Sequence, residues 1–577
     1  MSNNKRLMAL LLSGLVGAAH GGEKEELLKL RNTTTNLIKQ LVKQGVITDQ
    51  MAEQMIKQAE ADAEQQAAQH KAASAAKETV PADEVRVAYV PDFVKDEIRQ
   101  QVRSELREEV VGDVMQKAKN EQWGLPNALP EWTRKIKLSG DIRLRSRNDY
   151  MAKDNIDRSI IYPDVMSIND IGSLNDAIAQ NRAYQNTKTD RHRFQERFRL
   201  GLDADVAPGL TAGIRLATGN MNDPVSTNQT LGQTGQHYEF NLDRAYLKYD
   251  FLDNDKFKWL TLSGGRIKNP WETGGSEFTG GSELVWDTDL SFEGFAATVR
   301  HRLGSDGHMD IGGENVPMIY ATAGAFPLQE FQLTQHDKWM LGGQVGVDWN
   351  FASQDNMKFN LGYFDFSNVT AVPNTKTDAT GRCDASSEST RASRPQFTQG
   401  GNSLAAICYV DPTVATPDVG MYGLASEFKV VNINAAYDLA LFSPIHLRLM
   451  GDYAKNIGFD AAKVKQARSL TPTAATVTEQ TNAWQFRADL GWNRLDAAGN
   501  WNTFVGYKYV ERDAVLDAYT DSDFHGAGGT NVKGWFIGGN YSLMKNVWLT
   551  GRWLSADIIT GPPYGVDVLQ IDVNTKF

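Results

Sequence analysis

Cysteine, long apolar runs, excess positive charge and catalytic signatures are all scarce in this chain. Only Cys383 and Cys408 carry a thiol among 577 residues, so a single bridge is the most that disulfide chemistry can contribute. No stretch reaches 18 consecutive apolar residues, which excludes a mature transmembrane helix. It does not exclude a membrane protein, because barrel strands average lipid-facing and water-facing residues to a polar mean, and the mean hydropathy here is −0.42. The net charge of −11 argues against a general nucleic-acid binder. No H-E-x-x-H or G-x-S-x-G occurs, and the 9 histidines are scattered. Neither an enzyme nor a cofactor or metal site is expected.

Glycine (50 residues) and aromatics (10%) are plentiful, as tight turns and interfacial girdles require. Lys5 and Arg6 followed by the apolar run LMALLLSGLVG and small residues read as a signal peptide over residues 1–21, cleaved after Ala19 or Gly21. Export places Cys383 and Cys408 in an oxidising compartment and favours a disulfide between them over a metal site. Residues 22–134 have helical periodicity, with Leu27, Leu30, Leu37, Ile38, Leu41 and Val42 on one stripe. A later stripe, Val94, Ile98, Val102, Leu106, Val110 and Val114, is spaced by four and winds around the rod, as in a self-associating coiled coil or a helix laid on another surface.

From Lys135 the period changes to 2 and stays there. IKLSGDIRLR sets Ile136, Leu138, Ile142 and Leu144 against Lys137, Asp141, Arg143 and Arg145, and RHRFQERFRLGL places Arg191, Arg193, Gln195, Arg197 and Arg199 on one face. Sixteen such runs begin near residues 135, 192, 210, 238, 258, 293, 316, 338, 356, 425, 445, 482, 501, 532, 547 and 566. The links between them alternate: brief turns such as APG, ASQDN, LFSP and MKN, then mostly long polar loops, the longest over about residues 367–424. An even strand count with short turns at one rim and long loops at the other predicts an all-β transmembrane antiparallel barrel of about 16 strands over 135–577, preceded by an α-helical periplasmic extension over 22–134. Trp339, Trp484, Trp492, Trp501, Trp535 and Trp548 at strand ends read as girdle residues.

The final run LQIDVNTKF (569–577) resembles the last strand of bacterial outer-membrane barrels, whose terminal Phe, here Phe577, is read by the barrel-assembly machinery. VRVAYVPDFVKDEIRQQVRSELREEVVGDV, WGLPNALPEWTRKIKLSGDIRLR, LVWDTDLSFEG (284–294) and TAGAFPLQE (322–330) resemble outer-membrane porins of Proteobacteria that carry a helical amino-terminal extension. The resemblance covers essentially the whole mature chain. It implies a general diffusion porin in outer-membrane lipid, commonly a homotrimer, passing small hydrophilic solutes and ions. The rival reading is a structural or adhesive barrel whose extension tethers it to peptidoglycan.

The polar faces of the early strands carry Arg143, Arg145, Arg193, Arg197, Arg199, Arg215 and Arg244, joined by Arg266 and Lys268, with Arg448, Arg487 and Arg552 on later faces. Guanidiniums stay charged and would set a positive field across a lumen. The third long loop, NPWETGGSEFTGGSELVWDTDL, supplies Glu272, Glu277, Glu283, Asp287 and Asp289. General porins fold this loop inward, so the resemblance implies a constriction in which its carboxylates face the arginines. Pairing of the same charges along wall and rim, for stability alone, is the plainer alternative.

A Cys383–Cys408 bridge would close a loop of about 26 residues and restrict the unfolded ensemble by roughly 3 to 4 kcal/mol. Thiol labelling of the exported, non-reduced protein should find neither cysteine free; labelling of both would remove the bridge.

Overall fold

The change of period at Lys135 marks the start of a continuous wall of strands. The computed structural model describes residues 135–157, 162–275, 280–303, 317–332, 335–351, 355–374, 392–410, 418–468 and 477–577. All lie in the second of two units into which the chain divides, Ala118–Phe577. The signal peptide, the helical extension with its Val94-to-Val114 stripe, Glu277 and Cys383 lie outside the described residues.

The wall strands are β1 (Ile136–Met151), β2 (Arg191–Ala207), β3 (Leu210–Ala217), β5 (Asn241–Leu252), β6 (Lys258–Lys268), β7 (Ser291–Arg302), β8 (Met318–Gln329), β9 (Lys338–Asn350) and β10 (Asn356–Ser367). They continue with β13 (Phe428–Phe442), β14 (Ile445–Asn456), β15 (Asn482–Trp492), β16 (Trp501–Val510), β17 (Val532–Met544), β18 (Val547–Ile558) and β19 (Gly565–Lys576). These are the sixteen strands expected. The two-residue β4 (Gln229–Thr230) adds a short pairing to β2. Each wall strand runs antiparallel to its neighbours, and β19 pairs with β1 from Asp141↔Lys576 to Met151↔Val566, closing the barrel.

Two features differ from the sequence reading. The long fifth loop holds a hairpin of its own, β11 (Leu404–Val410) and β12 (Asp418–Leu424), so Cys408 stands in a strand. The loop-length alternation is also softer than the sequence suggests: links 330–337 and 559–564 on the long-loop rim are brief, and 303–317 on the other rim is not. Among the described residues, helices are confined to loops. Two short ones, α1 (Val165–Ile171) and α2 (Leu174–Ala179), occupy the first loop, and α3 (Ala461–Ala467), capped by Asp460, the sixth.

The distribution of polarity is the reverse of a soluble sandwich. Leu138, Leu144, Phe194, Phe295, Trp535 and Ile571 stand exposed on the outer wall, while Arg145, Gln485, Asp489, Lys508, Gln570 and Asp572 are buried inside it. A strand between lipid and a watery interior requires this arrangement. Aromatic residues gather at both ends of the wall. Tyr249, Phe251 and Trp259 flank one short turn, and Trp492 and Trp501 meet edge-on at another. Near the long-loop rim Trp484 and Trp535 sandwich Tyr507, with centroids 5.3 and 4.7 Å away.

Closure continues to the last residue. Phe577 and Gly140 exchange two backbone hydrogen bonds, both 3.0 Å. The Phe577 ring lies across Gly140, where an added Cβ would fall 2.5 Å from its tip. The same Cβ would lie 2.7 Å from the Arg199 carbonyl oxygen of β2, so Gly140→Val should lift the ring from its seat and also strain the β1–β2 ladder, lowering the yield of heat-modifiable barrel at least as far as deletion of Phe577. The ring is half-exposed, so its own share of the loss should be about 1 kcal/mol. Normal yield of the Val variant beside a low yield of the deletion would mean that the seat on Gly140 is not what the terminal ring contributes.

Candidate functional site

Period-2 alternation places Arg143, Arg145 and Arg147 of β1 on the inner face, and the register sets Arg143 opposite Arg197 and Arg147 opposite Arg193 of β2. Like charges directly opposite one another are destabilising. The wall answers by interleaving carboxylates. Asp141 bridges Arg197 and Arg199 at 2.7 Å each, and Asp149 bridges Arg147 and Arg193 at 2.9 and 2.7 Å. Asp572 of β19 takes Arg145 in a two-pronged pair at 2.8 and 2.9 Å. Further round, Arg215 pairs with Asp243, Arg244 donates to Ser291 (3.3 Å), and Arg266 donates to the Asp243 carbonyl (2.8 Å).

Two loops supply the remaining charge. The third loop, between β6 and β7, turns inward. Its Trp271 and Trp286 pack on inward-facing Phe292, Phe326, Phe364 and Phe366, with the shortest centroid distance 4.9 Å between Trp286 and Phe364. Glu272 is held by Gln344 of β9 through its backbone N–H and carbonyl (2.8 and 2.9 Å), and by Lys358 of β10 at 3.1 Å. The Gly274 carbonyl accepts from Arg448 of β14, five strands round the wall from β7. Gly274 has φ +74°, and a side chain there would strike Asn434 of β13 at 2.6 Å. At its other end Asp289 reaches Arg199 and Arg197 of β2 at 2.9 and 3.7 Å and accepts from Thr227 at 3.2 Å.

The seventh loop, 511–531, meets it. Thr520 donates to the carbonyls of Glu283 and Leu284 (3.1 and 2.9 Å), Asp287 N–H donates to the Tyr519 carbonyl (2.7 Å), and Ser522 N–H donates to the Asp287 carboxylate (2.9 Å). Asp523 collects Arg145, Arg147 and Arg552 at 3.1, 2.7 and 2.6 Å. Asp521 pairs with the buried Lys508 of β16. The fifth loop braces this one from behind: Thr398 and Gly400 N–H donate to Asp517 (2.5 and 2.9 Å), and Ser403 donates to Asp513 (2.6 Å).

The sequence-derived carboxylates thus part company. Asp289 meets the arginine face, Glu272 a lysine, and Glu283 and Asp287 face the seventh loop; Glu277 lies outside the described residues. Their charges differ accordingly. Burial would raise Asp289, but the guanidiniums of Arg197 and Arg199 overcome it and hold its carboxyl below the usual range. Burial, then Glu283 and Asp289, push Asp287 well above that range; burial and Asp521 raise Glu283. Arg143 donates to Asn228 of the second loop, while Arg487 pairs with Asp489 on its own strand at 2.7 Å. The residue sequence reasoning missed is Asp523, together with Arg147. The run DAVLDAYTDSDF, with its repeated aspartates, was the available signal. Among the described residues no cluster of His, Cys, Asp and Glu could hold a metal ion.

The solved structures similar to this chain include Pseudomonas putida OprB at high pH (11% identity, covering 77% of this chain and 95% of that one, TM-score 0.41). The outer membrane channel DcaP of Acinetobacter baumannii is similar at 9% identity, 77% and 97% coverage and TM-score 0.38. Salmonella typhi OmpF in complex with daunomycin is similar at 11% identity, 77% and 97% coverage and TM-score 0.36. No curated protein matches the chain. The family described as "Putative porin" matches residues 31–577, nearly the whole length, and the protein belongs to that family.

Proposed function

We propose that this outer-membrane channel passes small hydrophilic solutes and ions by passive diffusion, with the third loop as its constriction. The observation that carries the reading is the path of that loop. It leaves the wall between β6 and β7, touches β13 and β14 in one direction and β2 in the other, and so spans the interior. A loop so placed narrows a barrel from within, and its Asp289 sets a negative charge against the arginine face. A transverse field of that kind orients dipolar solutes at the narrowest point.

The basic and apolar amino-terminal run and the resemblance to porins support a wider reading. Residues 1–21 act as a cleaved signal, residues 22–134 remain in the periplasm, and Phe577 serves as the assembly signal. The functional unit is a homotrimer. The extension supplies either the trimer contact, through its Val94-to-Val114 stripe, or a contact to peptidoglycan.

Single-channel recording of the purified protein in a planar bilayer tests the channel directly; a silent barrel would leave the adhesive reading standing. The zero-current potential in a salt gradient tests the constriction. Because Glu283 and Asp287 are held towards their protonated forms, Asp289→Asn alone should move selectivity towards anions more than Glu283→Gln and Asp287→Asn together. A unit charge about 8 Å from a permeating ion in water contributes ~0.5 kcal/mol, with opposite sign for an anion and a cation, so the anion-to-cation ratio should change roughly fivefold. The shift should shrink at 1 M salt, where the Debye length is about 3 Å. An equal or larger shift in the double variant would place the narrowest point away from Asp289.

A further inference from the structure

At the long-loop mouth, above the arginine face, lies a polar cavity of about 830 Å³ walled by β1, β2 and the first, second, fifth, seventh and eighth loops. Arg193 and Gln195 of β2 line it from the wall, Asn228 from the second loop and Phe397 from the fifth. Arg193 and Gln195 are two residues apart on one strand face, which separates their side chains by roughly 6.6 Å.

Both have hydrogen-bonding capacity left over. A guanidinium has five N–H donors; Arg193 gives one to Asp149 (2.7 Å), and its buried Nε–H has no partner among the described residues. Gln195 is 8% exposed, donates weakly to Thr230 at 3.5 Å, and its buried Oε1 has no partner among the described residues. Buried polar atoms are expected to find partners, and an orphan costs free energy. The carboxylates around the cavity are already engaged: Asp149 and Asp523 by arginines, Asp164 by Ser167 N–H and Asp223 by Val225 N–H. Arg191, exposed at the rim, makes no ion pair among the described residues.

A donor and an acceptor left open at this spacing ask for a ligand that carries the complements. Resting on the channel reading above, we propose that this cavity is an entry site for small polyhydroxylated carboxylates, the carboxylate taken by Arg193 and a hydroxyl several carbons away given to Gln195. Arg193 pairs best with a carboxylate, whose opposite charge and two oxygens match the planar fork of the guanidinium. The Phe397 ring offers an apolar surface for the C–H edge of the carbon chain. A neutral polyol would offer the Arg193 Nε–H no charged acceptor, and a short carboxylate would leave Gln195 orphaned.

The test compares gluconate, sorbitol and propionate on the full-length protein, by calorimetric titration in detergent and by interruption of single-channel current. Gluconate should bind at least about tenfold more tightly than either of the others, since each lacks one of two bonds. Arg193→Gln and Gln195→Met should each weaken gluconate by about tenfold and bring it level with sorbitol and propionate respectively. Gln195→Met removes only the weak bond to Thr230, so it reports on the site even if the arginine variant does not fold. Equal affinities for the three solutes, or gluconate affinity unchanged in the Gln195 variant, would overturn the site. Current in KCl without selective gluconate binding would refute the site and spare the channel; selective binding to a barrel that passes no current would do the reverse.

Discussion

A sheet immersed in lipid cannot keep an edge, because an unpaired backbone N–H or C=O has no water to satisfy it. That constraint makes the β1–β19 pairing the contact on which the rest of the molecule depends. Once these strands meet, sixteen strands share one inside and one outside, and every side chain's environment follows from its parity. The apolar parity faces outward as an exposed band, and the arginines and their carboxylates are confined within. Phe577 carries the same pairing one residue further, and Gly140 leaves room for its ring.

Confinement creates a second problem. Bringing β1 beside β2 sets arginine opposite arginine, and buried charge is tolerated only when it is paired and hydrogen-bonded. Asp141, Asp149 and Asp572 do part of this from the wall itself. Asp289 and Asp523 do the rest from loops that start on distant strands. The inward loops are consequently tied to the arginine face by charge, to the opposite wall by Glu272 and Gly274, and to a patch of inward-facing phenylalanines by Trp271 and Trp286. The same pairing that stabilises the wall fixes where the charged groups stand inside the barrel. The orphaned atoms of Arg193 and Gln195 stand where that pairing is incomplete, at the mouth.

Much of this was legible in the chain. Alternation in IKLSGDIRLR and LQIDVNTKF assigns Arg143, Arg145 and Asp572 to one face because a strand's side-chain period is 2 whatever its surroundings. The strand starts follow for the same reason, as does the outward facing of Trp339, Trp484, Trp501 and Trp535, whereas Trp548, expected in the girdle, stands on the inward parity opposite Asn574. The third loop's acidic character was plain too. That Glu283 and Asp287 turn to another loop while Asp289 meets the arginines was not, because loop residues have no period to propagate a facing direction. The β11–β12 hairpin was hidden likewise, its short strands lying in a segment dominated by polar residues and turns.

The sequence by itself determined strand number, the sidedness of each strand, the inward arginine face and family membership, since each rests on local periodicity or on a match along the chain. Only the tertiary structure decided which carboxylate meets which guanidinium. Asp523 is 376 residues from Arg147 along the chain and 2.7 Å from it in space. Asp572 and Arg145, 427 residues apart, meet because the barrel closes. Contacts of that kind are made by closure and by the path of loops across the interior, and no local pattern of residues encodes them.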